Sequence, residues 1–206
     1  MSAIPKRKLT EAEYLEIERA AEFKSEYYDG VMYPMQGPAG VVGMAGATVD
    51  HNKIKENVSF ELNTRLRGGP CEALSRDMRV KVLATGLHTY PDVVVYCGTP
   101  EFHDDEKRDT LLNPTVVVEV LSESTEKYDR TTKMKHYRRI PSLREYVMIS
   151  QDHVSVERYA RQANGQWLLT EYDDPAGALD LECVSVEIPL AAIYRGVRLP
   201  ENPPLR

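Results

Sequence analysis

Cysteine is scarce in this chain of 206 residues, and no long hydrophobic run is present. The three cysteines, Cys71, Cys97 and Cys183, are odd in number, far apart and without a CxxC pair, which predicts neither a disulfide framework nor a zinc ribbon. No apolar run approaches the roughly 18 residues that a membrane-spanning helix needs. The basic residues near the start are followed by no apolar stretch, so we expect no secretory signal. These absences favour a cytoplasmic protein without a membrane partner.

Positive charge is also in the minority, with 26 Lys and Arg against 32 Asp and Glu, for a net charge of −6. This balance argues against a protein that coats nucleic acid without specificity. One segment, 127–144, reverses the balance, because its seven basic residues face one acid, Asp129. A local basic face on an acidic body can contact phosphates, since salt screens charges beyond about 8–10 Å. A solvated helix face explains the same segment.

Hydrophobic residues make up 42% of the chain, which suffices for a core, and we predict a single domain over 1–206 with a loosely packed tail from about 197. Glycines over 37–46 predict a mobile loop, and 101–109 an exposed acidic loop. Helices interleaved with short strands predict an α/β domain with a mixed central β-sheet flanked by helices. The expected helices are 11–21, 49–67 and 129–140, and the expected strands are 25–29, 31–35, 71–83, 92–97, 115–121, 145–150, 154–159 and 167–172.

Two carboxylates interrupt segments that otherwise predict buried strands. Glu119 lies within T-V-V-V-E-V-L, and Asp92 follows Pro91 and precedes three valines. A buried ionised carboxylate without a partner costs several kcal/mol, so it must bind a cation or shift its pKa. If the two strands are neighbours, a divalent cation such as Mg²⁺ or Mn²⁺ would relieve the repulsion. A strand-end glutamate that faces solvent is the alternative for Glu119.

Helical phase separates one lysine from its basic neighbours. At 100° per residue, Lys133 shares a stripe with Tyr137 and Ile140, whereas Lys135 and Arg139 fall on the opposite side. We predict that the Lys133 ammonium points at the two carboxylates; a lysine that snorkels to the rim is the alternative. Glu26 is a weaker candidate, because an exposed strand glutamate explains it better.

The order of these motifs resembles that of the PD-(D/E)XK, restriction-endonuclease-like proteins, and most closely the Uma-two-like family of bacterial restriction endonucleases. The similarity covers roughly 9–150. Each motif alone is weak, but the ordered set is specific. In chain order the matching residues are Glu26 with Asp29 and Gly30, His51, Pro91 and Asp92, Glu119 to Ser122, and Asp129 with Lys133 and Tyr137.

The resemblance implies a restriction-endonuclease-like fold and a metal-dependent hydrolysis of DNA phosphodiester bonds. Asp92, Glu119 and the Val120 carbonyl would hold Mg²⁺, with Mn²⁺ as a substitute. Lys133 would orient or deprotonate the attacking water or neutralise the transition state, and Glu26 would assist. The resemblance also brings in two residues that would support the site, His51 and Tyr137.

One position departs from the general pattern, in which a lysine lies two residues after the second acid. That position is Leu121 here, and Lys133 on the following helix matches the displaced lysine of the related family. This departure keeps a second hypothesis open, a non-catalytic nucleic-acid-binding or assembly protein that retains the fold. A two-carboxylate glycoside hydrolase is a weaker alternative, because a single tryptophan gives no aromatic sugar platform. We also expect a homodimer, with the strands over 154–172 as the interface.

Overall fold

The computed structural model describes residues 7–35, 48–75, 77–104 and 106–199. The predicted glycine loop at 37–46 and the predicted tail beyond 199 lie outside these residues. The third predicted helix begins earlier than expected, and a π-helical turn separates its two short α-helical parts. The helices are α1 (Glu11–Ala20), α2 (Val49–Leu66), α3 (Glu126–Tyr128), the π turn (Asp129–Lys133), α4 (Met134–Tyr137), a 3₁₀ turn (Glu182–Val184) and α5 (Leu190–Ile193).

The strands form two mixed sheets and a small hairpin. The five-stranded sheet has the order β2-β1-β5-β4-β7, the six-stranded sheet the order β11-β10-β9-β8-β6-β3, and β12 pairs with β13. The strands are β1 (Ser25–Tyr28), β2 (Val31–Pro34), β3 (Cys71–Ser75), β4 (Arg79–Val82), β5 (Leu87–Thr89), β6 (Val93–Cys97), β7 (Thr110–Leu111), β8 (Val116–Leu121), β9 (Glu145–Ser150), β10 (Val156–Arg161), β11 (Trp167–Tyr172), β12 (Ala178–Leu181) and β13 (Val186–Pro189).

The predicted α/β class with mixed sheets flanked by helices is confirmed, but the strands do not form a single sheet. The predicted strand 71–83 is divided, so that β3 belongs to the six-stranded sheet and β4 to the five-stranded sheet. A turn ends β3, where the Asp77 N–H donates to the Ser75 carbonyl at 3.0 Å. Alternating hydrophobicity does not reveal such a break, because each half keeps its own apolar residues.

The six-stranded sheet separates two apolar cores. The α2 stripe of Ile54, Val58 and Leu62 packs on one face, and Tyr137 and Ile140 pack on the other. Strands β6 and β8 are neighbours in the middle of this sheet, and their valines are at most 2% exposed. Burial on both faces is what a continuous valine run indicates.

The start of α1 follows from local sequence. Thr10 and Glu13 form a capping box, in which each side chain accepts a hydrogen bond from the backbone of the other residue. Leu9 packs against the cluster that contains Tyr14, as expected of a hydrophobic staple. These contacts fix α1 against the five-stranded sheet, which carries one candidate site residue.

The prediction of no disulfide was wrong. Cys71 and Cys97 are bonded to each other and lie directly opposite in the antiparallel ladder of β3 and β6. Their separation of 26 residues gave no signal, because only the strand pairing brings them together. Cys183 is a free thiol whose Sγ donates to Glu145 Oε2 at 3.0 Å.

The predicted exposed acidic loop at 101–109 is partly bound to the body of the protein. Arg19 of α1 pairs with Asp104 at 3.3 Å and Asp109 at 2.8 Å, and the buried Arg79 pairs with Asp109 at 3.0 Å. The composition of this loop predicted that its side chains face solvent. Two arginines on other elements instead bind two of its carboxylates. Among the described residues, no helix is long and apolar enough to cross a membrane.

Candidate active site

The two central carboxylates face each other across neighbouring strands. Val93 pairs with Val118 in the antiparallel ladder, and the same register places Asp92 opposite Glu119. Asp92 Oδ2 accepts a hydrogen bond from the Val120 N–H at 2.8 Å. Each residue interrupts a valine-rich segment at the position where that segment brings a carboxylate to the site.

The helical segment after β8 carries Lys133, the lysine of the candidate site. Lys133 and Tyr137 are buried, whereas Lys135 and Arg139 are exposed, which is the division that helical phase indicates. The turn from Asp129 to Lys133 is π-helical, and single π turns within α-helices are frequent at functional sites. The lysine therefore enters the site from an irregular part of the helix.

Three carboxylates surround the Lys133 ammonium. Its Nζ lies 3.1 Å from Glu119 Oε1, 3.1 Å from Asp129 Oδ1 and 3.4 Å from Glu26 Oε1. Leu121, at the position where the general pattern has lysine, packs in the apolar core. The Lys133 ammonium thus contacts the second acid of the motif from the helix.

Glu26 enters from the five-stranded sheet. Tyr27 pairs with His88, and the same register places Glu26 opposite Thr89. Thr89 Oγ1 donates to Glu26 Oε1, and Tyr128 OH donates to Glu26 Oε2 at 2.8 Å. Glu26 is 2% exposed, so the structure contradicts the alternative of an exposed strand glutamate.

The two supporting residues suggested by the resemblance also contact the carboxylates. His51, in the first turn of α2, has its Nε2 3.4 Å from Asp92 Oδ2. Tyr137 OH donates to Glu119 Oε1 at 2.8 Å. Val120 contributes its N–H to Asp92, while the role of its carbonyl stays a prediction.

Burial and mutual repulsion govern the protonation of the cluster. Burial, aided by the charges of Asp129 and Asp92, raises the pKa of Glu119 to about 8, although Lys133 opposes this shift. Burial also raises the pKa of Asp129. Burial acts to lower the pKa of Lys133, but Asp129, Glu119 and Glu26 outweigh it and hold that pKa well above its ordinary value. One ammonium is therefore shared among more carboxylates than it can neutralise.

The pKa of Asp92 moves in the opposite direction. Burial alone would raise it, but hydrogen bonds from His51 and the Val120 N–H, with the charge of Lys133, lower it below its ordinary value. Asp92 therefore favours its ionised form beside Glu119. The site therefore carries an excess of negative charge, which an added cation would neutralise.

The donor set fits a hard divalent cation. Asp129 Oδ1 is buried and has no hydrogen-bond partner, despite its proximity to the ammonium. Within the described ranges, no three His, Cys, Asp or Glu side chains are placed to hold a metal ion together, and the Lys133 ammonium lies among three of the carboxylates. Mg²⁺ characteristically binds through one or two carboxylates and keeps several waters, so Asp92 and Glu119 suffice.

The sequence left parts of this cluster without a role. Asp129 matched the helix motif but was given no function, although its spacing of four residues from Lys133 places both on one helix face. Tyr128 and Thr89 were missed, because only the tertiary fold brings them to Glu26. Motif reasoning identified the charged groups but not the neutral donors that hold them.

Comparisons with known proteins find relatives that match most of the chain. The chain is 33% identical over 193 residues to the uncharacterized protein slr1290 of Synechocystis sp., covering 94% of this chain and 95% of that protein. It is 37% identical over 163 residues to the uncharacterized protein sll1609 of the same organism, and the match covers 79% of this chain and 86% of that protein. A crystal structure from Anabaena variabilis, titled a "putative nuclease belonging to DUF820", shares the fold with a TM-score of 0.68 at 18% identity, covering 92% of this chain and 98% of that one.

A family model matches most of the chain. The model is Uma2, described as "Putative restriction endonuclease", and it matches residues 11–191, which include every carboxylate of the site. The chain belongs to the Uma2 family.

Proposed function

We propose that this protein is a metal-dependent endonuclease that hydrolyses phosphodiester bonds in DNA. One observation carries the proposal: Asp92, directly before β6, lies opposite Glu119 of β8, and the Lys133 ammonium lies 3.1 Å from Glu119. Two acids and a lysine in this relation suit phosphoryl chemistry, because the reaction needs an activated water and compensation of developing negative charge.

Each residue of the chain has a defined task in this proposal. Asp92, Glu119 and the Val120 carbonyl would hold Mg²⁺ or Mn²⁺, which supplies Lewis acidity and a more acidic water. Lys133 orients the attacking water and offsets charge on the phosphate. His51 and Tyr137 fix the rotamers of Asp92 and Glu119 through their hydrogen bonds. Glu26 holds Lys133 from the opposite side and positions a bound water.

The test combines a cleavage assay with a binding assay. Purified protein is incubated with supercoiled and linear DNA in Mg²⁺ or Mn²⁺, beside the variants Asp92→Ala and Glu119→Ala and the control Glu187→Ala, which removes an exposed acid. We expect cleavage by the wild type and the control only. Calorimetry with Mn²⁺ should show binding that Asp92→Ala abolishes. Cleavage that persists in both site variants would refute the proposal.

A second candidate function, non-catalytic binding of nucleic acid, is favoured by the position of Lys133 among three carboxylates. An ammonium can neutralise part of this charge permanently and make the metal unnecessary. The same experiment separates the two functions, because the non-catalytic protein would bind DNA without binding Mn²⁺ and without cleaving.

Two further parts of the proposal concern the setting of the reaction. We propose a cytoplasmic homodimer, because two-fold symmetry matches the two strands of a duplex. The interface would use the strands over 154–172, of which β11 lies at the edge of the six-stranded sheet. A dimer would carry one site for each DNA strand.

A further inference from the structure

A group of arginines without acidic partners lies away from the catalytic cluster. Arg161 and Trp167 are cross-strand neighbours on β10 and β11, and the Arg161 guanidinium lies 4.8 Å from the centre of the indole. The Arg138 guanidinium, at the end of α4, lies 6.0 Å from the same ring. Arg144 adjoins them, since its carbonyl accepts the Arg161 N–H at 2.8 Å. We call Arg138, Arg144, Arg161 and Trp167 the arginine patch.

The charges of the arginine patch are uncompensated. In the described part of the chain, its three arginines form no salt bridge, whereas the nearby Arg130 pairs with Glu126 and Glu157. Burial, together with repulsion from Arg144 and Arg138, lowers the pKa of Arg161. Like charges held together on a protein of net charge −6 cost free energy that an anionic partner would recover.

Arg161 has a structural role in the arginine patch, whereas Arg138 and Arg144 are available to bind an anion. Arg161 donates to the carbonyls of Arg138 and Ile140 at 2.8 Å each and so caps the helix that carries the catalytic lysine. Arg138 and Arg144 are exposed. Guanidinium groups bind phosphate through two parallel hydrogen bonds, which makes them suited to a phosphodiester backbone.

The position of the patch favours DNA over other polyanions. Trp167 packs on the same face of the six-stranded sheet as Tyr137, whose hydroxyl reaches the catalytic Glu119. Arg144 precedes Glu145, which pairs with Val116, three residues from Glu119 on β8. Strand geometry places Arg161 and Trp167 about 13 Å along the strands from that acid, and about 10 Å and about 14 Å across the sheet from it, respectively. A few nucleotides of backbone span this distance.

We propose that the arginine patch is a second phosphate-binding site, which holds the DNA backbone flanking the scissile bond. This inference rests on the proposed nuclease function for its choice of DNA. The patch fixes the substrate without contacting the reacting phosphate, so it affects binding and leaves the chemical step unchanged. Backbone contacts of this kind carry no sequence information, and the site therefore sets affinity and not specificity.

The experiment measures DNA binding without metal, so that it does not depend on cleavage. A labelled duplex of about 20 base pairs is titrated by fluorescence anisotropy in EDTA with the wild type and with Arg138→Gln/Arg144→Gln. The matched control, Arg67→Gln/Arg195→Gln, removes two exposed arginines from segments at the opposite face of the six-stranded sheet. Arg161 is kept, because its loss would also release the helix end.

We expect the patch variant to bind about tenfold more weakly and the slope of log affinity against log salt to fall by about 1.8, which corresponds to two lost phosphate contacts. The control should bind like the wild type. Equal binding by both variants, equal losses in both, or no duplex binding by the wild type would overturn the inference. Displacement of the duplex by polyglutamate at equal charge would instead indicate an acidic protein partner.

The two proposals fail in different ways. If the wild type does not cleave DNA but the patch variant still loses binding, the arginine patch stands and the nuclease proposal falls. If cleavage is observed, the patch variant should raise KM with an unchanged kcat. A fall in kcat alone would contradict a role in holding flanking DNA.

Discussion

Lys133 shows how one residue can be stabilised in a place that composition alone would forbid. A lysine that is 3% exposed would lose most of its hydration, and its burial is tolerated because three carboxylates lie within 3.4 Å of Nζ. The arrangement is reciprocal, since Glu119 and Asp129 are themselves buried. Loss of the ammonium therefore leaves several acids in mutual repulsion, whereas loss of one acid leaves two partners for the lysine.

The first prediction separates Lys133 from its exposed neighbour. Lys133→Met should abolish DNA cleavage, because the attacking water loses its orienting group, while Mn²⁺ binding by calorimetry is retained. Lys135→Met, on the exposed face, should leave kcat unchanged and at most weaken DNA binding. Circular dichroism should show that both variants fold. Equal losses of activity in the two variants would contradict the assigned role.

The second prediction concerns the protonation of Glu119 in the metal-free protein. Its pKa rises on folding from 4.5 to about 8, so between these pH values the native state binds more protons than the unfolded chain. The stability supplied by this group is complete below pH 4.5 and is lost as the pH rises through about 8. Glu119→Gln cannot ionise and should escape this loss.

The measurement is urea denaturation in EDTA across this pH range. We expect the free energy of unfolding of Glu119→Gln, relative to the wild type, to increase by about 2 kcal/mol or more between pH 5 and pH 8. The exposed control Glu187→Gln should show no such trend. A constant difference between Glu119→Gln and the wild type would show that burial does not perturb this carboxyl.

At the scale of elements, local signals predicted the structure well and long-range pairing did not follow from them. The capping box at Thr10 and the valine runs of β6 and β8 were readable, because they depend on neighbouring residues or on uniform burial. The division of 71–83 between two sheets was not readable, since nothing in the alternating pattern names a strand's partner. For the same reason, the sequence did not show that Thr89 contacts Glu26 or that Cys97 bonds to Cys71.

The third prediction tests the covalent link between β3 and β6. Cys71→Ala/Cys97→Ala should lower the free energy of unfolding by about 3 kcal/mol, because the disulfide joins residues 26 positions apart and so closes a loop in the unfolded chain. The wild type in reducing agent should match the variant, and the control Cys183→Ala should match the oxidised wild type. Metal binding should persist, because Asp92 precedes the opposite end of β6. Equal stability of reduced and oxidised wild type would contradict this prediction.

At the scale of the whole molecule, the edge of the six-stranded sheet is poorly protected. Strand β11 lies at this edge, and its Leu168 and Leu169 are 54% and 42% exposed. Its sequence W-L-L-T-E-Y contains neither lysine nor proline, the residues that commonly prevent strand edges from pairing with another chain. An apolar edge of this kind favours pairing with a second copy.

The last prediction is that the protein dimerises through β11. Antiparallel pairing about a two-fold axis perpendicular to the sheet would leave both arginine patches on one face, where they could follow a single duplex between the two sites. Leu168→Lys should convert the dimer to a monomer at micromolar concentration, as measured by light scattering. Leu83→Lys, which changes a leucine that is 63% exposed outside the six-stranded sheet, should remain dimeric. A monomeric wild type would exclude the interface, and a dimer that survives Leu168→Lys would place the interface on another surface. If the dimer is required to present both patches to one duplex, Leu168→Lys should also weaken duplex binding while leaving Mn²⁺ affinity per protomer unchanged.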